Sequence, residues 1–211
     1  MPTQVLLADD HQIVRQGLRG LLEEAGFQVV AEAADGQEAV RLAAARPRPD
    51  VAVLDLAMPL LNGVDAARAL LRGSPSLKVI LLTMHTDEPY VLEALRAGVS
   101  GYVLKTQAAE DLVRAIEEVE RGAIYLSPTV ARRLVEVYRG KTEPPASPLS
   151  HRERQVLQLV AEGKSTKEVA AILGISVKTA ESHRTRIMAK LDVHETASLV
   201  RYAIRTGLVQ P

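Results

Sequence analysis

Five polar residues stand where short apolar runs end. Asp9 and Asp10 follow residues 5–8, Asp55 follows 51–54, Thr83 follows 78–82 and Lys105 follows 101–104. Three carboxylates brought into one crevice repel each other and raise their own pKa values unless a cation is present. An all-oxygen ligand set suits a hard ion such as Mg²⁺. Such an ion would cancel much of the repulsion and hold a phosphate oxygen. A lysine ammonium and a threonine hydroxyl would receive the other oxygens, as point charge and hydrogen bond. Asp55 is the best-placed nucleophile, because its run is the central one, and attack by a carboxylate on phosphorus gives an acyl phosphate. Singly, each residue says little. A strand-terminal Asp is more often a helix cap, a lone Lys is usually solvated, and Thr83 could simply satisfy a backbone group. Five in register across four strands point to a site.

The elements that must position them follow from hydrophobic pattern. Apolar, β-branched runs at 5–8, 28–33, 51–54, 78–82 and 101–104 alternate with helical spacings. Those spacings are Ile13, Val14, Leu18, Leu21, Leu22; Ala39, Val40, Ala43; Val64, Ala67, Leu71; Val91, Leu92, Leu95; and Leu112, Val113, Ile116, Val119. Five strands apolar on both faces, each followed by a helix, predict an α/β domain over 1–121: a five-stranded, doubly wound, parallel sheet. Functional groups then gather at the carboxyl ends of the strands. The second strand contributes nothing polar of this kind, which fits an edge position in the flavodoxin-like order 2-1-3-4-5.

Residues 122–148 change character and read as a linker with one helix. Ser127-Pro128 opens that helix, which runs through Tyr138, and 140–148 holds three prolines without apolar periodicity. Residues 149–211 predict a separate all-α domain of four helices. Ser150 with Glu153, and Ser165 with Glu168, are capping boxes. Gly174-Ile175-Ser176 alone separates the second and third helices, the spacing of a helix-turn-helix, and the fourth helix runs over about 195–205.

Composition narrows the function classes. The 211 residues are 47% apolar and 25% charged, as in an ordinary globular protein, and contain no Cys. Disulfides, thiolate zinc sites and Cys nucleophiles are therefore excluded. The longest apolar stretch, 51–61, is interrupted by Asp55 and is too short to cross a membrane. The start, Met1-Pro2-Thr3-Gln4, lacks the basic and apolar parts of a secretory signal, so a cytoplasmic location is expected. The net charge of zero hides a split. Residues 1–121 carry 12 basic against 18 acidic side chains, whereas residues 150–211 carry 10 against 6. A small basic module fits a nucleic-acid partner.

The pattern Leu7-Ala8-Asp9-Asp10-His11, Leu54-Asp55-Leu56-Ala57-Met58-Pro59, Leu82-Thr83 and Gly101-Tyr102-Val103-Leu104-Lys105 resembles the receiver domain of bacterial two-component response regulators. The pattern from Leu149-Ser150-His151-Arg152-Glu153 through Ile187 and Leu191 is similar to the LuxR-type helix-turn-helix. Together they resemble the NarL/FixJ class over essentially the whole chain. The resemblance implies that Asp55 accepts a phosphoryl group from a sensor histidine kinase. It also implies that Asp10, Asp55 and the backbone carbonyl of Ala57 bind Mg²⁺, with Asp9 acting largely through water. Lys105 would pair with the phosphate, Thr83 would swing towards it, and Tyr102 would turn inward behind Thr83. The only reactions implied are the chain's own phosphoryl transfer and dephosphorylation. Met84, after Thr83, is bulkier than the small residue many receivers have there, which bears on phosphoryl lifetime.

On the third C-terminal helix, Ala180, Ile187, Met188 and Leu191 fall in one stripe of about 100°, opposite Lys178, Thr179, Ser182 and Arg186. A polar, partly basic second helix of a helix-turn-helix is the groove-entering element. The resemblance places base-edge contacts at Glu181, Ser182 and Thr185. It places backbone contacts on double-stranded DNA at Thr166, Lys167, Lys178, His183 and Arg184, with Thr179 on the same polar face. Arg184 could instead pack its stem, and Lys164 and Lys190 read as solvated charges. On the fourth helix the apolar arc spans about 220°. Val200 and Ile204 suit the domain's own core, leaving Leu199 and Tyr202 for a second copy in a homodimer on DNA. RNA polymerase is a further implied partner, and no membrane is.

Two other readings compete. An Asp-nucleophile, Mg²⁺-dependent phosphatase wants a second acid two residues after the nucleophile, where this chain has Ala57. A flavin or nucleotide binder wants a Gly-rich loop after the first strand, and none is present.

Overall fold

The computed structural model describes residues 2–84, 88–140 and 148–209. They form two compact units, residues 2–58 with 62–140 and residues 59–61 with 148–209.

In the first unit, β1 (Gln4–Ala8), β2 (Gln28–Ala33), β3 (Val51–Asp55), β4 (Lys78–Thr83) and β5 (Gly101–Leu104) alternate with helices. These are α1 (Gln12–Glu24), α2 (Gly36–Ala43), α3 (Gly63–Gly73), α4 (Glu88–Arg96) and α5 (Ala108–Glu120). All strand pairs are parallel and the order is β2-β1-β3-β4-β5, with β2 at the edge as expected. Strand β3 is buried at every position, the reason its residues are apolar without alternation. One face of the sheet presents Val5, Leu7, Val53, Ile80, Leu82 and Val103 to Leu18 and Leu22 of α1 and Leu112 and Ile116 of α5.

The sheet has a sixth strand, β6 (Tyr125–Leu126), where five were expected. It lies in the segment read as a linker and pairs in parallel with β5, Tyr102 opposite Leu126. Tyr125 N–H donates to the Ser100 carbonyl at 2.9 Å, and Ser127 N–H to the Tyr102 carbonyl at 3.0 Å. Asp111 of α5 fixes the strand, accepting from the Tyr125 hydroxyl at 2.8 Å and the Ser127 hydroxyl at 2.7 Å. Two residues carry no periodicity, so only the free edge of β5 defines this strand. Helix α6 (Pro128–Gly140) follows, slightly longer than predicted. The proline-rich stretch 140–148 falls, apart from its ends, outside the described residues.

The second unit contains α7 (His151–Ala161), α8 (Thr166–Leu173), α9 (Val177–Leu191) and α10 (Thr196–Arg205). Both capping boxes form, with Ser150 N–H donating to Glu153 at 2.7 Å and Ser165 N–H to Glu168 at 2.8 Å. Gly174 ends α8 at φ 63°, in the left-handed region that glycine enters without a Cβ penalty. Ser176 then caps α9 by accepting from Thr179 N–H at 3.0 Å. Val156, Leu157, Val169, Ala170, Ala180, Ile187, Leu199 and Ala203 make the core.

Two expectations are corrected here. Leu199 is buried in its own domain's core with Ala203 and half-buried Tyr202 packs against the same core, while Ala197 is exposed and Val200 and Ile204 only half-buried. The helix is turned the other way from the one the arc suggested, because α10 packs on α7 through Leu199 and Ala203. Lys190 is not a merely solvated charge: its ammonium lies 2.7 Å from the buried Glu153 carboxylate. Burial alone would raise Glu153. The Lys190 and Ser150 donors outweigh it and hold the carboxyl well below its ordinary 4.5, at about 2. A depressed folded pKa contributes stability that is fully present above about 4.5 and lost as pH falls towards 2. Glu153→Gln should therefore unfold more easily at pH 7, by about 1–3 kcal/mol, and lose less of its stability between pH 4.5 and 2. Thermal unfolding of the full chain across that range is the measurement.

Candidate functional site

Because all the strands run in one direction, Asp9, Asp10, Asp55, Thr83 and Lys105 share one edge of the sheet, as predicted. Asp9, Asp55 and Thr83 are buried, and Asp10 is half-buried. The Lys105 ammonium lies 2.8 Å from Asp55 Oδ2 and 2.8 Å from Asp9 Oδ2. The turn carrying Ala57 is tied to β4 and to the start of α3: Leu56 N–H donates to the Leu82 carbonyl at 2.9 Å, and Gly63 N–H to the Leu56 carbonyl at 2.8 Å.

Burial decides the electrostatics of Asp55. Desolvation, helped by Asp9 and Asp10, pushes the Asp55 carboxyl up to about 6 against the opposing pull of Lys105. For Lys105 the balance is reversed. Burial would lower the ammonium, but the Asp55 and Asp9 carboxylates outweigh it and hold its pKa above the ordinary lysine value. Three carboxylates against one ammonium leave an excess of two negative charges. Asp9, Asp10 and Asp55, with His11, each offer a ligand atom within 4.8 Å of the others. That charge and that oxygen-rich donor set fit a hard divalent cation.

Tyr102 has no exposed surface and stands opposite Leu81 on β4. Met84 is 64% exposed. Three residues of this site escaped the sequence reading. The His11 imidazole lies 2.9 Å from Asp10 Oδ1, and its backbone N–H donates to Asp9 Oδ1 at 2.9 Å. Arg15 donates to the Asp9 carbonyl at 2.6 Å and also faces Glu32. Strand β2, read as contributing nothing polar of this kind, supplies Glu32 at one remove. The available signal was the position of Arg15 in the first turn of α1, which returns towards the end of β1.

In the second unit, the polar face of α9 is open: Lys178, Thr179, Glu181, Ser182, Thr185 and Arg186 are exposed, while Ala180 and Ile187 are buried. Lys167 on α8 is exposed and Thr166 half-buried. The Thr179 hydroxyl lies 2.8 Å from that of Ser176 in the cap, and the Thr185 hydroxyl donates to the Glu181 carbonyl at 3.1 Å. Arg184 is half-buried with one guanidinium arm donating to the Thr196 hydroxyl. His183 is half-buried, and its Nδ1 has no hydrogen-bond partner among the described residues. No helix among the described residues is long and apolar enough to cross a membrane.

The response regulator receiver domain matches residues 5–117, and the luxR family of bacterial regulatory proteins matches residues 147–203. The response regulator UvrY of Escherichia coli K12 is 37% identical over 207 residues, covering 97% of this chain and 94% of UvrY. A structure of the RcsB response regulator of Salmonella typhimurium superposes with a TM-score of 0.72 at 32% identity, covering 99% of this chain and 100% of that one. A structure of two RcsB dimers bound to two parallel DNAs gives 0.60 at 32% identity, covering 96% and 98%. With both modules matched and relatives aligned end to end, this chain belongs to the two-component response regulators that join a receiver domain to a LuxR-type DNA-binding domain.

Proposed function

We propose that Asp55 is the residue that accepts the phosphoryl group of a sensor histidine kinase, and that its acyl phosphate switches sequence-specific binding of α9 to double-stranded DNA. The observation that carries this reading is the Lys105 ammonium 2.8 Å from both Asp55 and Asp9. An Asp55 oxygen bonds to phosphorus as the donor's phosphorus–nitrogen bond breaks. Lys105 then turns from the carboxylates to a phosphoryl oxygen, and the Thr83 hydroxyl donates to another. The movement of Thr83 is what Tyr102 follows. Asp10, Asp55 and the Ala57 carbonyl would hold Mg²⁺, with Asp9 acting largely through water; when bound, the ion would supply charge neutralisation for the phosphoryl oxygens. The chemistry is confined to gaining and losing the chain's own phosphoryl group.

The DNA form is a two-fold homodimer, a reading supported by the related RcsB, which is bound to DNA as dimers. Since Leu199 belongs to the domain's own core, the pairing surface on α10 is the opposite one, Ala197, Val200, Arg201 and Ile204. Two recognition helices about 34 Å apart then meet successive turns of the groove, and promoter-bound dimers act through RNA polymerase. The test is incorporation of radiolabel from acetyl phosphate into the full chain with and without Mg²⁺, followed by binding to DNA sites selected from a random pool. Mg²⁺-dependent, base-labile label and tighter binding by labelled protein are expected. Steady turnover of a general phosphoester without stable label would favour a phosphatase instead.

The residues of α9 divide by role. Lys178→Ala should weaken binding to all sequences and lower the salt slope by roughly one unit, whereas Ser182→Ala or Thr185→Ala should change which base pairs are preferred. Binding titrations at several salt concentrations on matched and mismatched sites separate the two. A Lys178 variant with altered base preference and an unchanged salt slope would reverse these assignments.

A further inference from the structure

We propose that Arg15 is a positioning residue for the cation-binding half of the receiver site, with Glu32 of the edge strand as its ion-pair partner. The inference rests on the reading of Asp9, Asp10 and Asp55 as cation ligands. Asp9 is held at four points. Its N–H donates to the Ala33 carbonyl of β2 at 3.2 Å, and its carbonyl accepts from Arg15 Nη1 at 2.6 Å. Its Oδ1 accepts from His11 N–H at 2.9 Å, and its Oδ2 lies 2.8 Å from Lys105 Nζ. The Arg15 bond is the one that fixes the outgoing peptide, the plane from which Asp10 departs. The direction in which Asp10 presents its carboxylate therefore depends on it.

The start of α1 lacks the usual device for this task. His11 occupies the N-cap position without a side-chain cap bond, whereas Asp35 and Asn62 cap α2 and α3. Arg15 stands one turn into α1, its N–H donating to the His11 carbonyl at 3.0 Å, and its guanidinium braces the turn from behind. Glu32 faces that guanidinium from the other side, Oε2 at 3.4 Å from Nε, an ion-pair distance without a hydrogen bond to Nε. The Arg15 and Glu32 side chains are 17% and 28% exposed, so solvent screens this bridge only in part. The neighbouring Arg19, 49% exposed and paired with Glu23 and Glu32, is a surface pair of small effect.

A plain surface charge and a positioning brace predict opposite signs. Removing a positive charge beside an anionic site tightens cation binding, whereas removing a brace loosens it. The double variant Arg15→Met/Glu32→Gln leaves the net charge unchanged, and Glu32→Gln alone is the control for the loss of the Arg19–Glu32 pair, which it shares. The probe is Mn²⁺, followed by its electron paramagnetic resonance signal on the full chain, with Mg²⁺ as competitor. Outer-shell partners of metal ligands typically contribute about 10–100-fold in affinity. We expect about tenfold weaker Mn²⁺ binding in the double variant and the same factor in the Mg²⁺ concentration giving half-maximal labelling by acetyl phosphate. Arg15→Lys keeps the charge but loses the planar fork, and a smaller weakening in the same direction is expected from it should the double variant fold poorly. Unchanged or tighter Mn²⁺ binding in both variants, with a lower unfolding temperature, would overturn the proposal and leave Arg15 a structural ion pair. A wild-type chain that neither binds Mn²⁺ nor takes label would instead overturn the cation-site reading on which the proposal stands.

Discussion

Asp55→Asn should lose labelling by acetyl phosphate or by a kinase, by at least about three orders of magnitude, while gaining stability in the absence of metal. The first half follows because an amide offers no nucleophilic oxygen of comparable strength, and Asp55 is the carboxylate at the centre of the strand ends. The second half follows from linkage. Burial raises the Asp55 carboxyl from 3.8 in the ordinary state to about 6 in the folded one. The folded chain therefore binds that proton more tightly than the unfolded chain does. This favourable difference is present below about 3.8 and is lost as pH rises through 6, so at pH 7.5 the buried carboxylate is a net liability. The shift sets an upper bound of about 3 kcal/mol, which the neutral amide escapes. Thermal unfolding in a chelator at pH 7.5 should place the variant above the wild type, with the gap closing below pH 4 and on addition of Mg²⁺ to the wild type. Full Mg²⁺-dependent labelling of the variant would remove Asp55 from its role. A variant less stable than wild type at pH 7.5 would remove the electrostatic account.

Gly63→Ala should destabilise the receiver domain by about 3 kcal/mol, lowering its unfolding temperature by roughly 10 °C, and should also impair labelling. A Cβ at Gly63 would lie 2.2 Å from the Asp55 carbonyl oxygen and 3.0 Å from the Asp55 carbonyl carbon and Leu56 Cα. These are backbone atoms at the end of β3, beside the proposed phosphoacceptor, and they cannot rotate away. Helix α3 must retreat, breaking the 2.8 Å bond from Gly63 N–H to the Leu56 carbonyl and moving the turn that holds Ala57. Gly73, at the other end of α3, has open space around its absent Cβ, so Gly73→Ala is the control. Equal unfolding temperatures for the two variants would show that the turn adapts at little energetic expense.

The sequence by itself determined the parallel sheet, its order and the convergence of Asp9, Asp10, Asp55, Thr83 and Lys105. Each is a local signal: an apolar run of strand length, a polar residue at its end, a helical spacing after it. Once the runs are parallel their ends must coincide, so position in the chain translates directly into position in space. The two capping boxes and the Gly174 stop were legible for the same reason, since each cap is formed by residues three or four apart. What the tertiary structure decided are relations between residues with no sequence periodicity linking them. Tyr125–Leu126 becomes a strand only because β5 has a free edge to pair with. Arg15 and Glu32 meet because β2 lies beside β1, and Lys190 meets Glu153 because α9 packs on α7. The orientation of α10 is the same kind of fact. An apolar arc of about 220° offers two faces of similar character, and the fit of Leu199 and Ala203 against α7, not the arc itself, selects which one is buried.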